Sequence, residues 1–352
     1  MCVVSDIVAV INPAQRNAIV GIKPTVGLTS RDGVIPESLH QDTVGVFGKT
    51  VRDATYVLDA IFGIDPRDNA TESQRGQTPS GGYSQFLHDR SALKGAVFGL
   101  PWESFWRLAS PTQLSQLREL LELIQDAGAT IINGTELPHY RTIVSPDGWN
   151  WDHGSQRGYP NESEYSYVKV DFYNDLKTYL AELGNTNIRS LKDLVEYNKA
   201  NVGSEGGQPG IHPAFGSGQD GLEASLATKG IQDATYWQAL NFCQRTTREE
   251  GIDAALRSGK QRLDGLLVPP DVAQSVQIAA QAGYPVITIP AGTDPESGMP
   301  YGLAIIQTAF AESALIKYAS AIENLQTATD TRWKRTLPEW RGYLSRNIPV
   351  IS

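Results

Sequence analysis

A hydroxyl or thiol becomes a nucleophile only when a nearby base takes its proton, so the residues to weigh first are the serines, cysteines, histidines and lysines that could stand together. The five histidines, His40, His88, His139, His153 and His212, show no ligand spacing such as H-x-x-x-H, and no bound metal is expected from them. The two cysteines, Cys2 and Cys243, lie far apart, which excludes a disulfide framework and fits a reducing compartment. His40 and Asp42 stand two apart and could be read as an acid–base pair or as neighbours in a loop. Gly203–Gly207 and Gly216–Gly218 are glycine-rich, but neither leads from a strand into a helix as a phosphate cradle must, so both read as turns. Trp149, Trp151, Tyr165 and Tyr167 could line a substrate entrance or simply pack.

The elements that would position these residues follow from periodicity. The opening Met1–Ile11 is apolar without a basic flank and reads as a buried strand rather than a leader. Residues 10–36 are dense in Gly, Pro and small residues and read as loop, with turns at Asn12-Pro13, Lys23-Pro24, Asp32-Gly33 and Ile35-Pro36. Val51, Ala54, Val57, Leu58 and Ile61 form a helical stripe over 50–61 that ends at Gly63. A polar linker over 65–83 is followed by a strand at 95–101, a helix at 112–127 and a strand at 129–133, a βαβ pattern that calls for parallel strands.

Residues 147–220 break the pattern, being rich in Trp, Tyr, Gly and Asn. Helices at 164–183 and 190–198 are expected there, and the region reads either as a cap or substrate-facing insertion or as an ordinary packed excursion. A helix over 235–258, a strand over 264–269, a helix over 271–282, strands over 284–290 and 301–307 and a closing helix over 312–326 complete the chain. The expectation is one α/β domain over 1–352 with a mixed, partly parallel sheet flanked by helices.

Bulk properties bound the partners. The chain has 352 residues, 40% apolar and 20% charged, with a net charge of −9, enough for a sizeable core and against wholesale disorder. The acidic balance repels phosphate backbones, so nucleic acid is a poor partner, and no apolar run is long enough to span a membrane. A cytoplasmic location is the expectation, with the oligomeric state open.

Five motifs occur in order over residues 10–63: Pro13-Ala14, Gly21-Ile-Lys-Pro-Thr25, Gly33-Val-Ile-Pro36, Asp42-Thr-Val-Gly45 and Thr50-Val-Arg-Asp-Ala54. Further on come Asp264-Gly-Leu-Leu-Val-Pro269, the run Gly283–Gly292 and Gly298-Met-Pro-Tyr-Gly-Leu303. Together they resemble the amidase signature family, and the Ile-Asn-Pro-Ala variant resembles its peptide-amidase-like branch. The resemblance implies hydrolysis of the C–N bond of a small linear amide or peptide-like substrate, without cofactor. In the family a serine attacks the carbonyl, a second serine on a cis peptide relays protons, and a buried lysine is the ultimate base. Backbone N–H groups of a glycine-rich turn stabilise the oxyanion.

This sequence departs from that pattern. The register set by Val10–Ala14 puts Ala9 at the nucleophile, with Val8 and Ile7 where a glycine pair belongs. An alanine has no Oγ, and β-branched residues do not readily make a glycine turn. The family's relay serine and lysine precede this segment, so the resemblance assigns no catalytic residue to the chain. Ser5 would need a four-residue slip to replace the nucleophile and reads as an ordinary serine. Lys23 corresponds to a structural Lys-Pro turn, and Asp42 to a structural or pocket-wall position. The expectation is therefore the C-terminal portion of an amidase, its N-terminal part missing and its chemistry inert. The alternatives are a non-catalytic binding or scaffold module derived from an amidase, and a hydrolase with a different nucleophile.

Overall fold

The computed structural model describes residues 7–146, 150, 152–206, 208–210, 216–258, 262–273, 275–328 and 336–338, with side chains from Val10 onward. Seven strands form one sheet: β1 (Val20–Lys23), β2 (Val46–Gly48), β3 (Val97–Leu100), β4 (Thr130–Asn133), β5 (Gly265–Val268), β6 (Val286–Thr293) and β7 (Pro300–Ile306). Their order is β2-β1-β6-β7-β5-β3-β4. The expected βαβ unit is present: β3 pairs in parallel with β4 and with β5, while the other pairings are antiparallel. The helices are α1 (Ile7–Arg16), α2 (Val51–Ile61), α3 (Pro111–Asp126), α4 (Tyr140–Ile143), α5 (His153–Gln156), α6 (Glu164–Glu182), α7 (Leu191–Ala200), α8 (Val202–Glu205), α9 (Asp220–Thr228), α10 (Ala234–Thr247), α11 (Asp253–Leu256), α12 (Ser275–Ala282) and α13 (Glu312–Thr327).

The largest correction is at the start. The strand expected over 1–11 and the loop over 10–36 give way to α1 and β1, and the Asn12-Pro13 turn lies inside α1. The β-branched run Ile7, Val8, Val10, Ile11 has strand propensity, but packing overrides it. Val10, Ile11, Ala14 and Gln15 are fully buried, spaced as one helical face. That face lies on the sheet at two glycines. A Cβ on Gly21 would stand 2.6 Å from Ala14 Cβ, and one on Gly45 would stand 2.7 Å from Val10 Cγ2 and 2.8 Å from the Ile22 carbonyl oxygen. The glycines of the Gly-Ile-Lys-Pro and Asp-Thr-Val-Gly motifs are thus the floor on which α1 rests.

Helix α2 starts as its sequence predicts. Thr50 caps it, accepting from Asp53 N, while Asp53 reaches back to Thr50 N, a reciprocal capping box. Its end is made by Phe62, whose N–H donates to Leu58 O, and Gly63 turns instead to Leu28 O. The segment read as a linker over 65–83 is packed structure: Thr71 and Gln74 are buried, and Gln74 Nε2 donates to the carbonyls of Gly27, Leu28 and Gly63. The helix expected over 235–258 breaks after Thr247 into a wide turn, Arg248–Ile252, before α11. The helix expected from 271 begins only at Ser275, after Ala273 adopts φ +50°. The other predicted helices and strands fall within a few residues of their expected spans, whereas β2, α4, α5, α8 and α9 have no counterpart in the sequence expectation.

Two apolar clusters cover the two faces of the sheet. One joins α2, α3 and α13 to it through residues such as Leu58, Leu120 and Ile322, and the other joins α1 and α12 through Val10, Ile11 and Ile278. The helices α6 to α10 carry two smaller clusters of their own, around Tyr167 and Tyr236 and around Leu176, Leu180, Leu191 and Val195. Of this helical excursion, α6, α7 and α8 fall within the 147–220 break in the sequence pattern, α9 begins at its end and α10 lies beyond it.

Candidate functional site

A groove of about 850 Å³ opens between the Gly33–Glu37 turn on one side and α6, α8 and α9 on the other. Its walls are largely apolar, including Val34, Ile35, Pro36, Val168, Phe172, Tyr179 and Leu222, with Glu37, Lys169, Glu205 and Asp220 as its charged groups. Such a shape, apolar with a few polar groups, suits a small ligand or a short peptide segment.

Why the turn holds its place is clear from its buried pairs. Arg31 is buried and grips Asp68 with two parallel bonds, Nε to Oδ2 at 2.8 Å and Nη2 to Oδ1 at 2.7 Å. The Arg31 backbone N also donates to Asp68 Oδ2 at 2.9 Å, and Nη1 donates to Leu39 O at 2.6 Å. Burial alone would raise the Asp68 carboxyl, but the hydrogen bonds and charge of Arg31 outweigh it and hold the pKa below the ordinary value. Within the turn, Asp42 Oδ2 accepts from Glu37 N at 2.8 Å and Ser38 N at 2.9 Å.

The far end of the same loop is clasped to the helical excursion by one buried carboxylate. Asp171 on α6 accepts Ser38 Oγ at 2.6 Å on Oδ2 and Tyr236 Oη at 2.7 Å on Oδ1, and the His40 Nδ1 lies 2.8 Å from Oδ2. Beside it, Asp175 Oδ2 accepts Leu39 N at 3.0 Å, and Tyr167 Oη donates to Gln41 Oε1 at 3.1 Å. Burial, with the Asp171 hydrogen bond, pushes the Tyr236 phenol well above its usual range. Burial also raises Asp175, with the Leu39 N–H opposing and the Asp171 charge adding to the rise. The serine, histidine and aspartate here do not form a relay: the serine donates to the carboxylate, and Ser38 is fully buried.

The sequence candidates sort accordingly. Ala9 lies in the first turn of α1, and no groove-lining residue comes from α1. Lys23 is fully buried at the end of β1 and its Nζ donates to Pro24 O at 2.9 Å. The adjoining Thr25 N donates to Oε1 of buried Glu312 on α13 at 2.7 Å, so this turn docks on the start of α13. His40 is partnered by Asp171, and Asp42 shapes the turn. Tyr165 lines the groove with the Lys169 ammonium 4.9 Å from its ring centroid, whereas Tyr167 is a core residue. Cys243 is buried, which pushes its thiol up and leaves it unreactive. Ser5, Cys2, Trp149, Trp151 and His212 lie outside the described residues. Among the described residues no cluster of His, Cys, Asp or Glu could hold a metal ion, and no helix is long and apolar enough to cross a membrane.

Sequence reasoning missed Asp171, Asp175 and Tyr236. A signal existed for the first: Asp171 follows Tyr167 by four and Val168 by three, which puts a carboxylate on the buried face of a helix and demands partners.

Comparisons with known proteins agree with this architecture. Residues 9–158 match the sequence model of the family described as Amidase. Two relatives are named as amidases on expectation: a Schizosaccharomyces pombe protein is 48% identical over 97% of this chain, and an Arabidopsis thaliana protein is 34% identical over 90%. The chain spans 58% of the first and 54% of the second. The native peptide amidase of Stenotrophomonas maltophilia superposes with a TM-score of 0.74 at 30% identity, covering 95% of this chain and 62% of that one. An amidase family protein of Bacillus anthracis, at 23% identity and a TM-score of 0.72, shares the fold over 90% of this chain and 55% of its own. The motif order, the mixed sheet and these likenesses agree: residues 9–158 match the Amidase family model, and the chain is similar to amidases over most of its own length.

Proposed function

We propose that this chain supplies the sheet and the substrate-facing wall of an amide hydrolase acting on the C–N bond of a linear amide or peptide-like substrate, and that the 352 residues by themselves do not turn amides over. The observation that carries the reading is the residue at position 9. In the register of the family motif that position belongs to the attacking serine, and here it is alanine. It sits in the first turn of α1, where the unsatisfied N–H groups of a helix start would favour a developing negative charge, but there is no hydroxyl to attack with. In family members the relay serine and the lysine base stand apart from this motif, and no residue of the motif here replaces them. The helical excursion is the substrate-facing part, and the groove beneath it takes the portion of the substrate flanking the amide. No metal or organic cofactor enters this chemistry.

The test is an amide-hydrolysis assay on the chain as given, using a peptide amide and following ammonia release. The expected rate equals the uncatalysed background. Ala9→Ser is expected to stay at background too, because a serine without a base is a poor nucleophile. Turnover by the unaltered chain would overturn the reading and favour a nucleophile elsewhere. A binding or scaffold module is the second reading, favoured by the groove itself, and it predicts ligand binding with no turnover in any longer version of the protein.

A further inference from the structure

We infer that Asn133 is a site of spontaneous covalent modification: the Gly134 nitrogen attacks the Asn133 side-chain amide, and water opens the resulting ring to aspartate and isoaspartate. The reaction uses only this chain's own backbone and does not depend on activity toward amides in solution.

Three observations meet at this residue. The first is sequence. Asn133-Gly134 is the one asparagine–glycine pair in the chain. A glycine has no Cβ to crowd the approach of its nitrogen to the preceding side chain. The second is position. Asn133 is exposed at the end of β4, an edge strand of the sheet, and Gly134 turns the chain away at φ +79°. The third is contact. The Gly134 N–H is divided between two acceptors, Leu100 O at 3.0 Å and Asn133 Oδ1 at 2.9 Å. A divided N–H is held less firmly by either acceptor, and the side-chain carbonyl is already folded onto the nitrogen that attacks it. Asn17, Asn174 and Asn201 are placed differently: each directs its Nδ2 to a carbonyl, of Pro13, Gly230 and Tyr197 in turn, and none precedes a glycine.

Water is the one reactant the step requires. Hydroxide takes the Gly134 amide proton, the nitrogen bonds to Asn133 Cγ, and the Cγ–Nδ2 bond breaks, with Nδ2 leaving as ammonia. Water then adds to either carbonyl of the ring. Opening on the side-chain carbonyl restores the peptide bond and leaves aspartate. Opening on the backbone carbonyl leaves isoaspartate, with the side-chain methylene now in the main chain. The bond to Leu100 must open for the attack, so fraying of the strand's last residue sets the rate.

The two products differ in what they do to the sheet. Just beyond the site Thr135 is 2% exposed, and Glu136 accepts Glu103 N and Ser104 N, so the chain has no slack to absorb an added methylene. Isoaspartate therefore loosens the end of β4 against β3, whereas aspartate adds only a charge to an exposed strand end.

The experiment incubates the folded chain at pH 7 and at pH 9, beside a blocked peptide of residues 129–137. Isoelectric focusing and peptide mass mapping follow the exchange of NH2 for OH, and electron-transfer fragmentation separates aspartate from isoaspartate. The expected result is one added negative charge, located at Asn133 before any other asparagine. It should form several-fold faster at pH 9, because the attacking nitrogen must lose its proton, and more slowly than in the free peptide. Asn133→Gln, whose longer side chain must close a larger ring, should abolish the gain and leave thermal unfolding unchanged. Asn133→Asp should unfold like the parent, while chains enriched in isoaspartate should exchange their β4 amides faster. No added charge in the folded chain once the free peptide has converted, a gain that appears first at another asparagine, a gain undiminished in Asn133→Gln, or a gain seen only in urea would each overturn the inference.

Discussion

Two regions of this molecule are held together by different physics. Where α1 meets β1, contact is made by removing side chains: Gly21 admits Ala14, and Gly45 admits Val10, with no charged group between them. Where the helical excursion meets the rest, contact is made by polar side chains placed one by one. Asp171 holds Ser38 and His40, Asp175 holds the Leu39 N–H, and Tyr167 holds Gln41. Buried Glu164, at the start of α6, accepts the amide of Gln277 at 2.5 Å and that of Gln281 at 3.0 Å, both on α12. Close apolar packing gives stability and tolerates no insertion. A polar clasp contributes less net stability, because each bond is exchanged for one with water, but it admits only one geometry. The contrast teaches that the excursion is fixed in position by direction and charge, while the sheet beneath it is fixed by shape.

The sharpest way to break the comparison is at the glycine contact. Gly21→Ala puts a methyl 2.6 Å from Ala14 Cβ and 3.3 Å from Val10 O, so helix and strand must part. The expected cost is about 3 kcal/mol or more, at the upper end of overpacking penalties, because neither neighbour can swing aside. Urea unfolding should show a lower midpoint, with the drop relative to the parent the same at pH 5 and pH 8, since no titrating group is involved. A loss below about 1 kcal/mol would mean that α1 sits loosely and that the two regions are less different than they look.

Next in size is the clasp. Asp171→Asn keeps the shape but leaves one oxygen for three donors, Ser38 Oγ, Tyr236 Oη and the His40 Nδ1–H, and points an NH2 at some of them. The expected loss is about 2 kcal/mol, the usual cost of a buried donor left without an acceptor. Its signature is local: hydrogen exchange should speed up in α6 and α10 and in the 37–42 loop, while β6 and β7 keep their protection. If protection fell equally across the sheet, the excursion would be unfolding with the core rather than by its clasp.

The same division explains what could be read from the sequence. Gly-Ile-Lys-Pro, Asp-Thr-Val-Gly and the apolar stripe over 50–61 are local patterns with local causes, so the likeness to amidases, the βαβ unit and α2 were legible. The clasp joins residues more than a hundred positions apart, and nothing near Ser38 announces Asp171. The first helix was misread for a related reason. Its β-branched residues favour a strand locally, and only the distant fact that Gly21 and Gly45 leave room for Val10 and Ala14 makes a helix of them. Of the aromatics set down as a substrate entrance or packing, Tyr165 and Tyr167 took opposite roles. They are two apart on α6, which turns them to different faces, one to the groove and one to the core.

The smallest effect expected is the most informative about charge, and its sign follows from burial. Asp175 stands beside Asp171, partly buried, with a carboxyl raised above its ordinary 3.8 chiefly by desolvation. A carboxyl whose pKa is higher folded than unfolded prefers to be protonated in the native state. It therefore costs no stability well below pH 4, costs progressively more as the pH climbs from the unfolded value through the folded one, and costs a constant amount above that. Asp175→Asn removes that cost and keeps an oxygen to accept the Leu39 N–H. At pH 7 the variant should be slightly more stable than the parent, by less than about 1 kcal/mol because solvent screens a half-exposed group, and the two should converge as the pH falls toward 4. The opposite sign at pH 7, with the variant weaker, would mean that the attraction of His40 and Arg31 for this carboxylate exceeds its desolvation and its repulsion from Asp171. The clasp would then owe its hold to net charge as well as to direction.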